Sequence, residues 1–344
     1  MLCKPDRWTS RAVNSALKAT AVAHPNIALV KYWGKRDERL ILPYQSSLSI
    51  TLGELEVTTT VQFAAAREQV ELHGEPAQGL ERARITEVLD RVRPMARARL
   101  GPARVSSRGN FPSAAGLASS AAGFAALAMA ARAAAGLASD VRQTSILARL
   151  GSGSACRSLQ GGVCVWRRGQ ARDGSDSYAE QLFTEAHWPE LRLVVALVGR
   201  QAKEVTSREG MQHTVATSPY YAAWVEDAEG EVERAIEQID RRDLGGLGRI
   251  AERNAWRMHA SALAADPPLC YLRPETLRLV LALPQERRNG IPVWFTLDAG
   301  PNPVLLTDAE HLTQVQSLAD TLGAQETICC KMGGDAHLSE THLF

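Results

Sequence analysis

The run Asn110-Phe-Pro-Ser-Ala-Ala-Gly-Leu-Ala-Ser-Ser-Ala-Ala-Gly123 opens directly into an alanine-rich stretch. Gly116 and Gly123 allow close approach of the backbone to a ligand. Ser113, Ser119 and Ser120 offer hydroxyls and candidate N-caps. A helix start presents unpaired N–H groups and the positive end of its dipole, which suits phosphate. No Gly-Lys-Ser/Thr follows, so the loop is not a Walker P-loop. Gly151-Ser-Gly-Ser-Ala-Cys-Arg157 repeats the chemistry: two glycines, the hydroxyls of Ser152 and Ser154, and a guanidinium able to grip an anion in a fork. Ser207-Arg208 stands just before Gly210-Met211. His24–Arg36 gathers Lys31, Lys35 and Arg36 beside Tyr32 and Trp33. In Thr296-Leu-Asp-Ala-Gly-Pro-Asn302, Asp298 enters a Gly-Pro turn. Two anion-cradling loops, several cations and one isolated carboxylate together suit phosphoryl transfer.

These segments need a scaffold. Leu55–Phe63 alternates and is rich in β-branched residues, which predicts a strand, with Gln69–Leu72 as its hairpin partner. Leu80–Val92 has near-helical apolar spacing. A helix is expected over Ser119–Ala135, stopped by Gly136, and another over Asp140–Arg149. Gly162–Arg167 reads as a strand and Asp173–Ser177 as a loop. The apolar run Leu191–Val198 is expected to open a second domain. Ser218–Met258 reads as two helices broken near Arg241–Gly246. Strands are expected at Val293–Leu297 and Val304–Leu306, a helix at Ala309–Leu322 and a last strand at Thr327–Met332. Strands and helices mix without strict alternation, which indicates an α+β fold.

The chain has 344 residues, enough for two domains of about 150 residues each. Its formal net charge is +1, so no global field attracts nucleic acid, and cations for polyanions must be gathered locally. The six cysteines, Cys3, Cys156, Cys164, Cys270, Cys329 and Cys330, form no C-x-x-C pair. They read as free thiols in a reducing compartment. The eight histidines lack metal-ligand spacing, so a protein-only metal site is not expected. No run of about 18 strongly apolar residues occurs, which argues against a membrane span. Residues 1–20 have no apolar signal core and read as an N-terminal extension.

Together the segments resemble the mevalonate diphosphate decarboxylase family of the GHMP kinase superfamily. Asn26-Ile-Ala-x-x-Lys-Tyr-Trp-Gly-Lys-Arg-Asp37 is similar to the family's opening motif. Phe111–Gly123 is similar to its ATP-phosphate loop, and Gly151–Leu159 and Thr296–Asn302 to its substrate and catalytic motifs. Gly210–Ser218 resembles a further family stretch. The resemblance implies an α+β, two-domain GHMP kinase fold with the active cleft between the domains. The N-terminal half would be ribosomal protein S5 domain 2-like, over residues 21–190, and bind ATP. The C-terminal half, a ferredoxin-like α/β sandwich over 191–344, would supply Asp298. It also implies the reaction: ATP phosphorylates the 3-hydroxyl of mevalonate 5-diphosphate, and loss of phosphate and carbon dioxide gives isopentenyl diphosphate.

By motif, the resemblance implies that Asp298 orients or accepts the hydroxyl proton. Arg157, supported by Asn26, would grip the substrate carboxylate, with Lys31 beside the reacting groups. Tyr32, Lys35, Ser152, Gly153, Ser154, Ser207, Arg208 and Met211 would hold the substrate. Ser113, Ala114, Ala115, Gly116, Leu117, Ala118, Ser119 and Ser120 would hold ATP, with Mg2+ carried on its phosphates and touching Ser120. A cytoplasmic homodimer is implied as well. An unperturbed Asp has a pKa of about 3.9, so Asp298 should act by positioning and electrostatics more than by removing a proton. Gln45 stands where the family usually has Asn, Leu297 where an aromatic is common, and Pro303 where a small residue is usual. No role is assigned to Met332–His337. Rival readings are a decarboxylase of the monophosphate, giving isopentenyl phosphate, and a kinase that stops at the 3-phosphate. Lys35, Ser207 and Arg208 favour two phosphates over one.

Overall fold

The computed structural model describes residues 17–111, 119–200 and 204–344. Alternating β-branched residues give Val57–Gln62 the central place in a six-stranded sheet. Its order is His337–Ser339, Lys18–Ala23, Val57–Gln62, Arg104–Gly109, Gln69–Leu72, Glu75–Pro76. Cross-strand hydroxyl pairs, Thr20 with Thr60 at 2.7 Å and Thr59 with Ser107 at 2.8 Å, satisfy the buried polar side chains of these strands. Gln69–Leu72 is not the hairpin partner of the strand before it. It pairs parallel with Arg104–Gly109, because helix α1 (Gly79–Val92) carries the chain across the sheet before it returns.

Helix α2 (Ser119–Ala134) lies against this sheet and is buried on nearly every face. Alanine makes that possible: short side chains let helix and strands approach closely at no rotamer cost. Gly136, at φ 68°, ends the run. Helix α3 (Val141–Gly151) starts at Asp140, whose carboxylate accepts from Gln143 N at 2.9 Å. Its end turns directly into a 3-10 segment, Gly153–Ser158.

A second sheet runs Ala179–Phe183, Val163–Trp166, Ser47–Thr51, Asn26–Val30. A third runs Trp294–Thr296, Val304–Asp308, Leu191–Leu197, Glu326–Cys330. Three helices of the C-terminal half follow the expected positions: α5 (Tyr221–Asp240), α6 (Leu244–Leu263) and α8 (Leu312–Thr321). Helix α4 (Ser207–Thr217), capped by Thr206, was not expected. Helix α7 (Pro274–Arg288) was not expected, since Pro284 lies inside it and breaks its pattern. The two halves share one core. Ile27, Leu29, Leu48 and Ile50 pack with Leu193, Val195, Ile239 and Leu247.

The C-terminal segment does not stay with the third sheet. Glu326–Cys330 is not the last strand. Gly333 N donates to Thr51 O at 2.9 Å, Gly162 N to Gly333 O at 2.7 Å, and Ala336 N to Leu159 O at 3.2 Å. His337–Ser339 then pairs antiparallel with Lys18–Ala23. Met332–His337, which had no role by sequence, thus stitches the chain's end to the first half. A division at 191 does not describe this tail, and regular structure begins at Lys18, inside the expected extension. The crossing needs glycine. A Cβ on Gly161 would sit 2.3 Å from the Gly334 carbonyl carbon. Gly161→Ala should therefore cost about 2 kcal/mol in urea denaturation, as overpacking against backbone does. An unchanged midpoint would contradict the packing described.

Candidate active site

Lys31 sits just past the edge strand Asn26–Val30 and is 1% exposed. Its Nζ donates to Asp298 Oδ1 at 2.6 Å and to Ala28 O at 2.7 Å. Asp298 leaves the strand Trp294–Thr296, and Thr296 Oγ1 donates to Ala28 O at 2.8 Å. The same carbonyl therefore ties the edge strands of two sheets together beside the ion pair. Burial pushes the Lys31 ammonium below its ordinary value, and Asp298 opposes that shift. Asp298 itself keeps 31% side-chain exposure, so it faces a space a substrate can enter.

Arg157, on the 3-10 segment, is 3% exposed. Its Nε donates to Ser49 Oγ at 3.0 Å and Asn26 Oδ1 at 3.3 Å, and its Nη1 donates to Ser47 Oγ. Asn26 Nδ2 donates to Ser158 Oγ at 2.7 Å and Ser154 O at 3.1 Å. Burial lowers the Arg157 guanidinium, while Asp298 and Tyr32 work the other way. A buried guanidinium fixed at two nitrogens by neutral acceptors is set to meet an anion.

A second group of cations lies beyond Tyr32. The Tyr32 hydroxyl is buried without a partner, and a Cβ on Gly153 would fall 2.7 Å from its ring, so glycine makes room for it. Lys35 donates to Glu38 Oε2 at 2.5 Å. Burial lowers Lys35, with Arg208 and Arg84 adding to the shift. Arg84 bonds Gly151 O through Nε and Nη2 and stacks over Phe124 at 4.6 Å. Burial and Arg208 bring it down to about 10. Lys35 and Arg84 are both lowered with Arg208 contributing, and such a gathering of cations suits a polyanion. Arg84 also lines a cavity of about 380 Å³ with Thr59, His73, Ser119, Ser120 and Phe124. Ser120 Oγ lies 3.4 Å from Ser152 Oγ, which brings the start of α2 to the turn that leads into Gly153–Ser158.

The geometry brings together Lys31, Asp298, Asn26 and Arg157, and near them Tyr32, Lys35, Ser152, Gly153, Ser154 and Arg208. Ser207 opens helix α4, and Met211 lies in an apolar cluster with Trp33, Tyr221 and Trp224. Ser113, Ala114, Ala115, Gly116, Leu117 and Ala118 fall outside the described residues, as does Cys3. The other five cysteines are free. Among the described residues no cluster of His, Cys, Asp or Glu could hold a metal, and no helix is long and apolar enough to cross a membrane.

Sequence reasoning missed Arg84, Ser47, Ser49 and Ser158. The hydroxyls of Ser47 and Ser49 alternate with Leu48 and Ile50 in a buried strand, a signal that could have found them. Arg84 is one arginine among many on a solvated-looking helix, and nothing local marks it. His259 on α6 was also missed. It is buried beside Lys31 and the Asp298 backbone, with Nε2 unpartnered. Burial, with Lys31 adding to it, holds its pKa down to about 4 from 6.5. Between those pH values the unfolded imidazole binds a proton and the folded one does not, so stability rises with pH across that window. Acidifying from pH 6.5 to 4 should cost roughly 3 kcal/mol through this group. Urea melts at both pH values should show a smaller acid loss in His259→Gln; an equal loss would remove the assignment.

A shared core between two α+β halves, with a buried Lys–Asp pair and a cation cluster at their junction, defines a small-molecule phosphotransfer fold. The diphosphomevalonate decarboxylase-like N-terminal domain family matches residues 23–179, and the mevalonate 5-diphosphate decarboxylase C-terminal domain family matches 193–339. The chain belongs to the diphosphomevalonate decarboxylase family. It is 41% identical over 308 residues to diphosphomevalonate decarboxylase mvd1 of Aspergillus fumigatus, covering 84% of this chain and 76% of the relative. It is 38% identical over 311 residues to the Bos taurus enzyme, covering 84% and 76%. A solved mevalonate diphosphate decarboxylase from Staphylococcus aureus superposes with TM-score 0.89 at 34% identity, over 96% of this chain and all of that one. A structure described as MDDEF in complex with MVAPP, AMPPCP and magnesium superposes with TM-score 0.88 at 38% identity, over 95% of this chain and all of that one.

Proposed function

We infer that the protein carries out the ATP-dependent decarboxylation of mevalonate 5-diphosphate to isopentenyl diphosphate, releasing ADP, phosphate and carbon dioxide. The observation that carries this reading is the pair formed at 2.6 Å by buried Lys31 and part-exposed Asp298, with Arg157 beside it and the cations Lys35, Arg84 and Arg208 beyond Tyr32. Lys31 holds and aims Asp298, so the carboxylate orients the 3-hydroxyl for phosphorylation. Arg157, with Nε and Nη1 held by Asn26, Ser47 and Ser49, offers its remaining end to the substrate carboxylate. Tyr32, Lys35, Arg84, Ser152, Gly153, Ser154, Ser207 and Arg208 hold the diphosphate, with Met211 behind them. ATP occupies the cavity lined by Ser119 and Ser120, with its phosphates toward Arg84, and the loop from Ser113 to Ala118 belongs to this reading. Magnesium fits as a passenger on the phosphates, since the described residues near it offer hydroxyls and cations and no acid cluster; it supplies charge neutralisation there.

When the 3-phosphate leaves with the electrons of its bond to carbon 3, that carbon becomes electron-poor and Asp298 stabilises it. The electrons of the bond between carbon 2 and the carboxylate then form the double bond between carbons 2 and 3, and carbon dioxide departs. Residues 21–190 form the ATP-binding half and 191–344 the half supplying Asp298, with the tail 332–344 returning to the first. A homodimer in the cytoplasm is part of the proposal, supported by free thiols that suit a reducing compartment. Sedimentation tests the oligomer. The function is tested by incubation with mevalonate 5-diphosphate, ATP and magnesium, with product identified by mass. ADP without carbon dioxide would indicate a kinase, and preference for the monophosphate would remove the diphosphate assignment.

A further inference from the structure

Both backbone polar groups of Lys31 are held by side chains. Its N–H donates to Asn254 Oδ1 at 2.8 Å, and its carbonyl accepts from Gln45 Nε2 at 3.1 Å. Asn254, on α6, is completely buried, and its Nδ2 donates to Glu231 on α5. Glu231 is also completely buried and accepts from Arg253 Nε at 2.7 Å and Arg257 Nη1 at 3.0 Å. We propose that Asn254, oriented by Glu231, is the positioning residue that aims Lys31 at Asp298.

A carboxamide has a donor end and an acceptor end, and its environment decides which faces where. An ionised carboxylate only accepts, so Glu231 draws the Nδ2 end toward itself. The Oδ1 end is then left for the Lys31 N–H. Lys31 has passed the end of its strand, so the ladder does not fix that N–H. The clamp spans the two halves: Lys31 comes from the first, and Asn254, Glu231 and Asp298 come from the second. A buried acid is a poor choice for stability alone, since well-packed apolar residues of similar volume often do as well. What the acid adds is a single orientation of the amide. This rests on Lys31 and Asp298 being the reacting-centre pair, a reading that Asp298 variants test independently.

The test exchanges acid and amide. In N254D two carboxylates face each other, and kcat should fall about 100-fold with both KM values within about threefold, as misplacement of a reacting group does. E231Q removes the orientation lock and should lower kcat about tenfold. In the double variant E231Q/N254D the new amide donates to the new carboxylate, which again accepts from the Lys31 N–H. Its kcat should return to within about tenfold of wild type. Ile239→Ala, in the buried core at the far end of α5, should lower the melting temperature and leave kcat near wild type. Unchanged kcat in E231Q, losses confined to KM, no recovery in the double variant, or an Ile239→Ala loss of kcat as large as that of N254D would each overturn the proposal. If N254D does not fold, E231Q and the double variant decide it.

Discussion

Asp298→Asn should bind ATP as wild type does and turn over about 1,000-fold more slowly. The substitution keeps the shape of the side chain and removes its charge. Lys31, 1% exposed, then faces an amide in place of an anion. Burial already lowers Lys31, and the opposing influence of Asp298 disappears. The variant should thus lose both the carboxylate that faces the reacting carbon and the reason for Lys31 to stay charged. The cavity proposed for ATP, lined by Thr59, His73 and Phe124, does not include Asp298 in its lining. Nucleotide titration and steady-state kinetics separate the two effects. Turnover within tenfold of wild type would show that the carboxylate is not at the reacting centre.

Arg157→Lys should fail in a different pattern. The guanidinium reaches Asn26, Ser47 and Ser49 with two of its nitrogens and keeps a third for a carboxylate. An ammonium is a point charge and cannot make these contacts together. It is also easier to neutralise: an ordinary lysine has a pKa of about 10.4, and full burial lowers it further. The KM for mevalonate 5-diphosphate should rise and kcat/KM should fall about 100-fold or more, while the KM for ATP stays the same. Product analysis alongside kinetics checks this. A variant within fivefold of wild type in kcat/KM would free Arg157 from the substrate carboxylate.

Much of this site was legible in the sequence because its residues lie in short runs. Gly151–Arg157 holds glycines, hydroxyls and a guanidinium within seven positions, and Asp298 stands beside a Gly-Pro turn. Such runs reflect local backbone demands, and local demands leave local traces. Arg84, Asn254, Glu231 and His259 left none. Each lies on an amphipathic helix, and each matters through a partner more than 20 positions away. Periodicity records which face of a helix is buried, and it does not record what the other element brings to that face. The same reason explains the strand Gln69–Leu72. Its alternation was readable, but its parallel partner Arg104–Gly109 depended on where α1 returned the chain. Gln45, flagged as a departure, donates to the Lys31 carbonyl.

The strand His337–Ser339 covers the outer side of Lys18–Ala23, from which it is far removed in sequence. During synthesis the first sheet must wait with that edge bare until His337–Ser339 has left the ribosome. Shortening the chain before His337 would leave that edge ready to pair with a neighbouring molecule, so such fragments should form aggregates even where the reacting residues are all present.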